Sequence, residues 1–174
     1  MSEKILPKTP QKKIKSFIKK NFKSLIALSV ILILTLFSYL FYEDLQKRKE
    51  IKLSEQYTQA TIQFKQKKTK EAKQLLESII IKKHKFYSSL ALYFIIDNNL
   101  ESDSEKVINF FDEILSIRSV DAENLNLIKI KKAIFLFNLG NEDLIIKTLN
   151  PIINSNSVWR SVAIKLISDY FLSK

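Results

Sequence analysis

Chemistry in a protein begins with nucleophiles, proton carriers and metal ligands, and this chain holds few of them. It has no cysteine and one histidine, His84, within IIIKKHKFY. The missing cysteines exclude disulfides, thiolate zinc sites, iron–sulfur clusters and a cysteine nucleophile. His84 would need an ordered carboxylate and a pocket to act as a base or a ligand. In a lysine-rich break between helices it reads instead as an exposed helix-end residue. Carboxylates occur in local groups, Glu101, Asp103 and Glu105 or Asp112 and Glu113, at spacings that fit helix starts and solvated faces. No H-E-x-x-H or EF-hand pattern occurs. Gly140 is the only glycine, so a P-loop, a nucleophile elbow and a dinucleotide-binding fingerprint are all impossible. The sequence predicts no enzyme, no cofactor, no metal and no small-molecule substrate.

The elements that would have to position such residues are helices. Three prolines, one glycine and many Leu, Ile, Lys and Phe predict an all-α protein. The net charge of +11 is uneven: residues 1–23 hold eight lysines and one glutamate, whereas residues 86–174 carry nine basic and eleven acidic residues. The excess therefore belongs largely to the N-terminal tail and does not predict nucleic-acid binding. The stretch Lys65, Lys67, Lys68, Lys70, Lys73 lacks accompanying arginines or an aromatic ladder and reads as solvated turn lysines.

Directly after the tail runs SLIALSVILILTLFSYLFY, residues 24–42, without a charge. As a helix it spans roughly 28 Å, close to the ~30 Å hydrocarbon core of a bilayer. Tyr39 and Tyr42 stand where an interfacial aromatic belt is expected. The run is longer than a usual signal-peptide core and no small-residue cleavage site follows, so an uncleaved signal anchor is predicted. Lys12, Lys13, Lys15, Lys19, Lys20 and Lys23 act as topology determinants. Eight lysines before the segment outweigh Lys47, Arg48, Lys49 and Lys52 after it, which predicts a cytoplasmic N-terminus by the positive-inside rule. The expected organisation is a basic cytoplasmic tail (1–23), a transmembrane anchor (24–42) and a helical domain (43–174) across the membrane. In a Gram-negative cell that is an inner-membrane protein with a periplasmic domain.

Within 43–174 the predicted breaks are 67–69, 82–85, 98–104, 117–121, 140–141 and 154–157. Ser102 with Glu105 has capping-box spacing, and Asp121 and Asn141 are good N-cap residues. Gly140 suits a left-handed C-cap. FKQKKTKEAKQLLESII and FLFNLGNEDLIIKTLNPII each read as helix, polar turn and helix. Ala72, Val107 and Ile145 recur at intervals of 35 and 38 residues, each with an apolar partner twelve residues earlier, Ala60, Ile95 and Ala133. That approaches the 34-residue tetratricopeptide period. Of the three anchors only Ala72 is the expected small residue, and Pro151 falls inside the third hairpin instead of ending a repeat. A last helix begins at VWRSVAIKLISDYFL. Phe86, Tyr87, Tyr93, Phe94, Phe110, Phe111, Phe135 and Phe137 are mainly core candidates. Tyr57, Phe64, Tyr93 and Asn126 are the residues expected on the concave, partner-binding face.

These hairpins, behind one short tail and one anchor, with Trp159-Arg160 opening the last helix, resemble the ancillary SecYEG translocon subunit family and its alphaproteobacterial relatives. The resemblance implies a tetratricopeptide-like stack with a C-terminal capping helix. It also implies a scaffold whose partners are the Sec translocon and periplasmic chaperones handling exported proteins. A cell-envelope or division scaffold, binding itself or peptidoglycan enzymes, is the other expectation.

Overall fold

The structure, a computed structural model, describes residues 15, 17 and 19–173. Lys12 and Lys13 lie outside the described residues. From Phe22 onward these form seven α-helices: α1 (Phe22–Lys65), α2 (Thr69–Ile81), α3 (Tyr87–Asp97), α4 (Ser104–Leu115), α5 (Ala122–Leu139), α6 (Glu142–Ile153) and α7 (Arg160–Leu172). No strand occurs among the described residues. The chain divides into two compact units, residues 1–50 and 51–174, and α1 contributes to both.

The first unit holds the apolar part of α1. It is long and apolar enough to cross a membrane, with a mean hydropathy of 2.4 and no residue of that window buried. Two of its hydroxyls bond within the helix: Ser29 Oγ donates to the Leu25 carbonyl at 2.9 Å and Thr35 Oγ1 to that of Ile31 at 2.8 Å. This removes the cost of unpaired polar groups in an apolar surrounding.

The second unit is three helix hairpins, the end of α1 with α2, α3 with α4 and α5 with α6, followed by α7. The predicted anchors Ala72, Val107 and Ile145 are each the fourth residue of the second helix of a hairpin. All three are buried, as are Ala60, Ile95 and Ala133 on the first helices. Ile95 and Val107 share one apolar cluster, and Ala133 and Ile145 share the other.

The turns repeat as well. Lys67 (φ 63°), Asn99 (φ 50°) and Gly140 (φ 68°) follow the three first helices, all left-handed. In each case the left-handed residue donates to the carbonyl three before it: Phe64, Ile96 and Phe137. The next residue donates five back, to Gln63, Ile95 and Leu136. This double bond is a Schellman cap, which satisfies carbonyls that the helix end leaves open. Glycine therefore serves one turn of three because lysine and asparagine hold the same geometry, at some steric cost.

Asp121 and Asn141 cap α5 and α6, accepting from Asn124 N at 3.0 Å and Leu144 N at 3.2 Å. The start of α4 differs from expectation. Asp103, not Ser102, is the N-cap, accepting from Glu105 N at 3.0 Å and Lys106 N at 3.2 Å. A carboxylate at this position also meets the positive end of the helix dipole. The last helix starts at Arg160, two residues later than its apolar sequence suggests, with Trp159 at the cap.

Two apolar clusters fill the unit. The first runs from Leu53 to Ile128 and the second from Ile130 to Tyr170. α5 supplies Ile128 to one and Ala133 and Leu136 to the other. That explains why its apolar residues are spread round the helix instead of forming one stripe.

Candidate functional site

α3 and α5 enclose two adjoining hollows. One, of about 150 Å³, is lined by Tyr93, Ile96, Asp97 and Phe111 and by Lys131, Ile134, Phe135 and Asn138. The other, of about 190 Å³, is lined by Lys85, Phe86, Ser89, Leu90 and Tyr93 and by Val120, Asn124, Leu127 and Ile128. On each helix these residues recur at three and four, so one face of α3 and one face of α5 form most of the walls. Phe111 of α4 completes them, with Lys85, Phe86 and Val120 just before the two helices. Tyr93 belongs to both hollows and marks their boundary.

Around Tyr93 the chemistry is mixed. The Lys131 ammonium sits over its ring, 4.4 Å from the centroid, a favourable cation–π geometry. Burial pushes the Tyr93 hydroxyl up to about 12, so it stays a neutral donor. Phe86 and Ile134 are exposed despite their size. Large apolar side chains beside a half-buried phenol, with amide, ammonium and carboxylate groups at the edge, make a surface suited to protein. Each hollow falls below the ~300–1,000 Å³ of sites that enclose small ligands. Each is of a size for one side chain.

Of the residues expected on the binding face, Tyr93 lies in these hollows. Tyr57 and Phe64 meet instead at Phe94, edge-on, with ring centroids 6.1 and 5.3 Å away. Both are half-buried and join α1 to α3. Asn126 lies off the lining face of α5, where its Oδ1 accepts from Lys129 Nζ at 3.5 Å. Phe86, read as core, is an exposed wall of the second hollow. Its helical spacing with Ser89, Leu90 and Tyr93 was the signal available for this face.

His84 also differs from expectation. It is half-buried, and its Nδ1 accepts from the backbone N–H of Phe86 at 3.2 Å and of Tyr87 at 3.3 Å. Its own N–H donates to Ser88 Oγ at 2.9 Å, and the buried Ser88 hydroxyl donates to the Ile79 carbonyl at 3.0 Å. The histidine therefore caps the start of α3, and Ser88 ties that helix to the end of α2. No group of three or more metal-ligating side chains occurs among the described residues.

An ion network stands apart from the hollows. Glu101 accepts from Lys73 at 2.8 Å and Lys106 at 3.1 Å, and Lys106 also reaches Glu77 at 2.8 Å. Lys73, by its hydrogen bond, together with the Asp103 N–H and Lys106, holds the Glu101 carboxyl down to about 2. The network fastens α2 to α4 and to the loop before α4.

The family model described as a tetratricopeptide repeat-like domain matches residues 15–132, more than half of the chain. The matched span includes the apolar part of α1 and every buried residue of the first cluster, and it ends two residues after Ile130, the first buried residue of the second. No curated protein and no solved structure matches the chain.

Proposed function

Because the chain belongs to the tetratricopeptide repeat-like domain family, we propose that it is a membrane-anchored scaffold that binds a protein segment in the α3–α5 groove. The observation that carries this reading is the pair of side-chain-sized hollows on either side of Tyr93. An extended peptide places alternate side chains on one face, and two of them can seat in the two hollows. Phe86 and Ile134 supply exposed apolar contact, while the Tyr93 hydroxyl, Asn124 and Asn138 can bond the peptide backbone. Tyr57, Phe64 and Asn126 remain candidates for a wider contact along the same unit.

The apolar part of α1 serves as the anchor and crosses the membrane once. Lys15, Lys19, Lys20 and Lys23, with Lys12 and Lys13 before them, hold the N-terminus in the cytoplasm by the positive-inside rule. The helical domain then lies in the periplasm of a bacterial inner membrane. A covalent tether of this kind raises the concentration of the groove near membrane partners without adding any contact. The partner class follows from the resemblance of the hairpins, tail and anchor to the ancillary translocon subunit family. It comprises the Sec translocon and the periplasmic chaperones that receive exported chains.

Crosslinking in intact membranes, read by mass spectrometry, tests the partner. Recovery of translocon or chaperone components supports this reading. Reproducible recovery of septal or peptidoglycan-synthesising proteins in their place favours the envelope scaffold. Protease added to spheroplasts tests the orientation, because a helical domain that stays protected contradicts a periplasmic location.

A further inference from the structure

The flank of α7 that does not enter the core carries an ordered pattern. Ala163 and Tyr170 are buried in the second cluster, with Trp159, Leu166 and Ile167 packed against it. Val162, Lys165, Asp169 and Leu172 stand on another flank at three–four–three spacing, and all four are exposed. Val158, in the turn just before the helix, is 74% exposed, and Leu172 is 83% exposed. α7 thus leaves the large apolar side chains of Val162 and Leu172 exposed on this flank. It also lies beyond the span matched by the family, so the family pattern does not account for this face.

The order of the four residues identifies what covers them. Read forward they are apolar, basic, acidic, apolar; read backward they are apolar, acidic, basic, apolar. An antiparallel copy of the same helix therefore sets Val162 against Leu172 and Lys165 against Asp169, twice. A parallel in-register copy would set Lys165 on Lys165 and Asp169 on Asp169, which is repulsive. Three–four–three spacing is also the seam spacing of paired helices. Within one chain Lys165 and Asp169 bond each other at 3.2 Å, so each has its partner ready to exchange for the equivalent one. We propose that this flank of α7 is a self-association surface, on which a second copy of the chain docks antiparallel about a two-fold axis. Such an isologous pairing closes at two copies. A contact of two short helices is at the small end of specific interfaces, so the dimer is weak and depends on concentration.

The absence of cysteine permits a direct test on the full chain in detergent micelles. Val162→Cys and Leu172→Cys are placed singly on differently tagged copies, mixed across a concentration series and oxidised. The antiparallel register gives 162–172 disulfides well in excess of 162–162 and 172–172. Charge reversal supplies a second readout. Lys165→Asp or Asp169→Lys alone should lower the dimer fraction about fivefold, as expected for replacing an exposed attraction by a repulsion. Mixing the two variants should restore it, because each new charge then faces its opposite. Trp159 fluorescence, unchanged in the variants, shows that α7 stays docked. Disulfides in the proportions of random collision, single reversals that dimerise as the parent chain does, or a chain monomeric throughout the series would each overturn the proposal.

Discussion

The Tyr170 hydroxyl donates to the carbonyl oxygen of Gly140 at 3.1 Å, while its ring meets that of Phe137 edge-on at 5.0 Å. One residue of α7 thus fixes both the end of α5 and the left-handed turn that opens α6. Tyr170→Phe keeps the ring and removes the bond, and should cost about 1 kcal/mol. Trp159 is the only tryptophan and packs against the same cluster. Its fluorescence during urea unfolding measures the loss.

The three Schellman turns make a paired prediction. Gly140→Ala meets no atom within 4 Å, so its cost is backbone strain alone, about 1 kcal/mol. Lys67→Gly should act in the opposite direction, stabilising by up to about 1 kcal/mol, because a left-handed lysine is relieved. Thermal unfolding followed by circular dichroism at 222 nm compares the two. Equal destabilisation by both would mean that the turn conformation is not what the residue type controls.

Glu101 makes stability depend on acid. Its side chain is 5% exposed and is held by Lys73 and Lys106, which lowers its carboxyl from 4.5 to about 2. A group depressed on folding stabilises fully above its unfolded value and loses that contribution as pH falls through the folded one. Stability should therefore decline between about pH 5 and pH 2. Glu101→Gln should flatten this part of the profile and cost about 2 kcal/mol at neutral pH. The measurement is a series of urea midpoints against pH for both proteins.

Lys132 and Asp112 form an unequal pair at 2.6 Å, the lysine 9% exposed and the aspartate 57%. Removing the aspartate leaves a buried ammonium without its counter-charge. Removing the lysine leaves a carboxylate that water can reach. Asp112→Asn should therefore destabilise by about 2 kcal/mol or more, and Lys132→Met by distinctly less. Urea unfolding of both single variants and the double variant isolates the coupling.

Much of this architecture was legible in the sequence because it rests on local rules. Gly140 and Asn141 announce a C-cap and an N-cap in adjacent positions, and the break falls there. Ala72, Val107 and Ile145 keep their place because each lies one turn into its helix, whatever the residue's size. Proximity between helices was less legible. Ser102 and Asp103 are both competent caps, and only the bond geometry at Glu105 and Lys106 selects the second. His84 reads as exposed because its neighbours are lysines, yet its cap depends on backbone donors that have no sequence signal. Tyr57 and Phe64 meet at Phe94, a choice made by the crossing of α1 and α3. The groove residues Phe86, Asn124 and Ile134 were hidden because a lining face and a core face share the same helical period.

The account turns on whether the α3–α5 groove holds a protein segment. A photoreactive phenylalanine analogue placed at Tyr93, in the full chain in native membranes, tests this most directly. The same analogue at Asn109, exposed on α4, serves as the reference. We expect a discrete protein adduct from position 93, absent from position 109, and lost when Ile134→Lys closes the adjoining hollow. Adducts of equal yield from both positions, or an adduct at 93 indifferent to Ile134→Lys, would contradict the groove as the binding site.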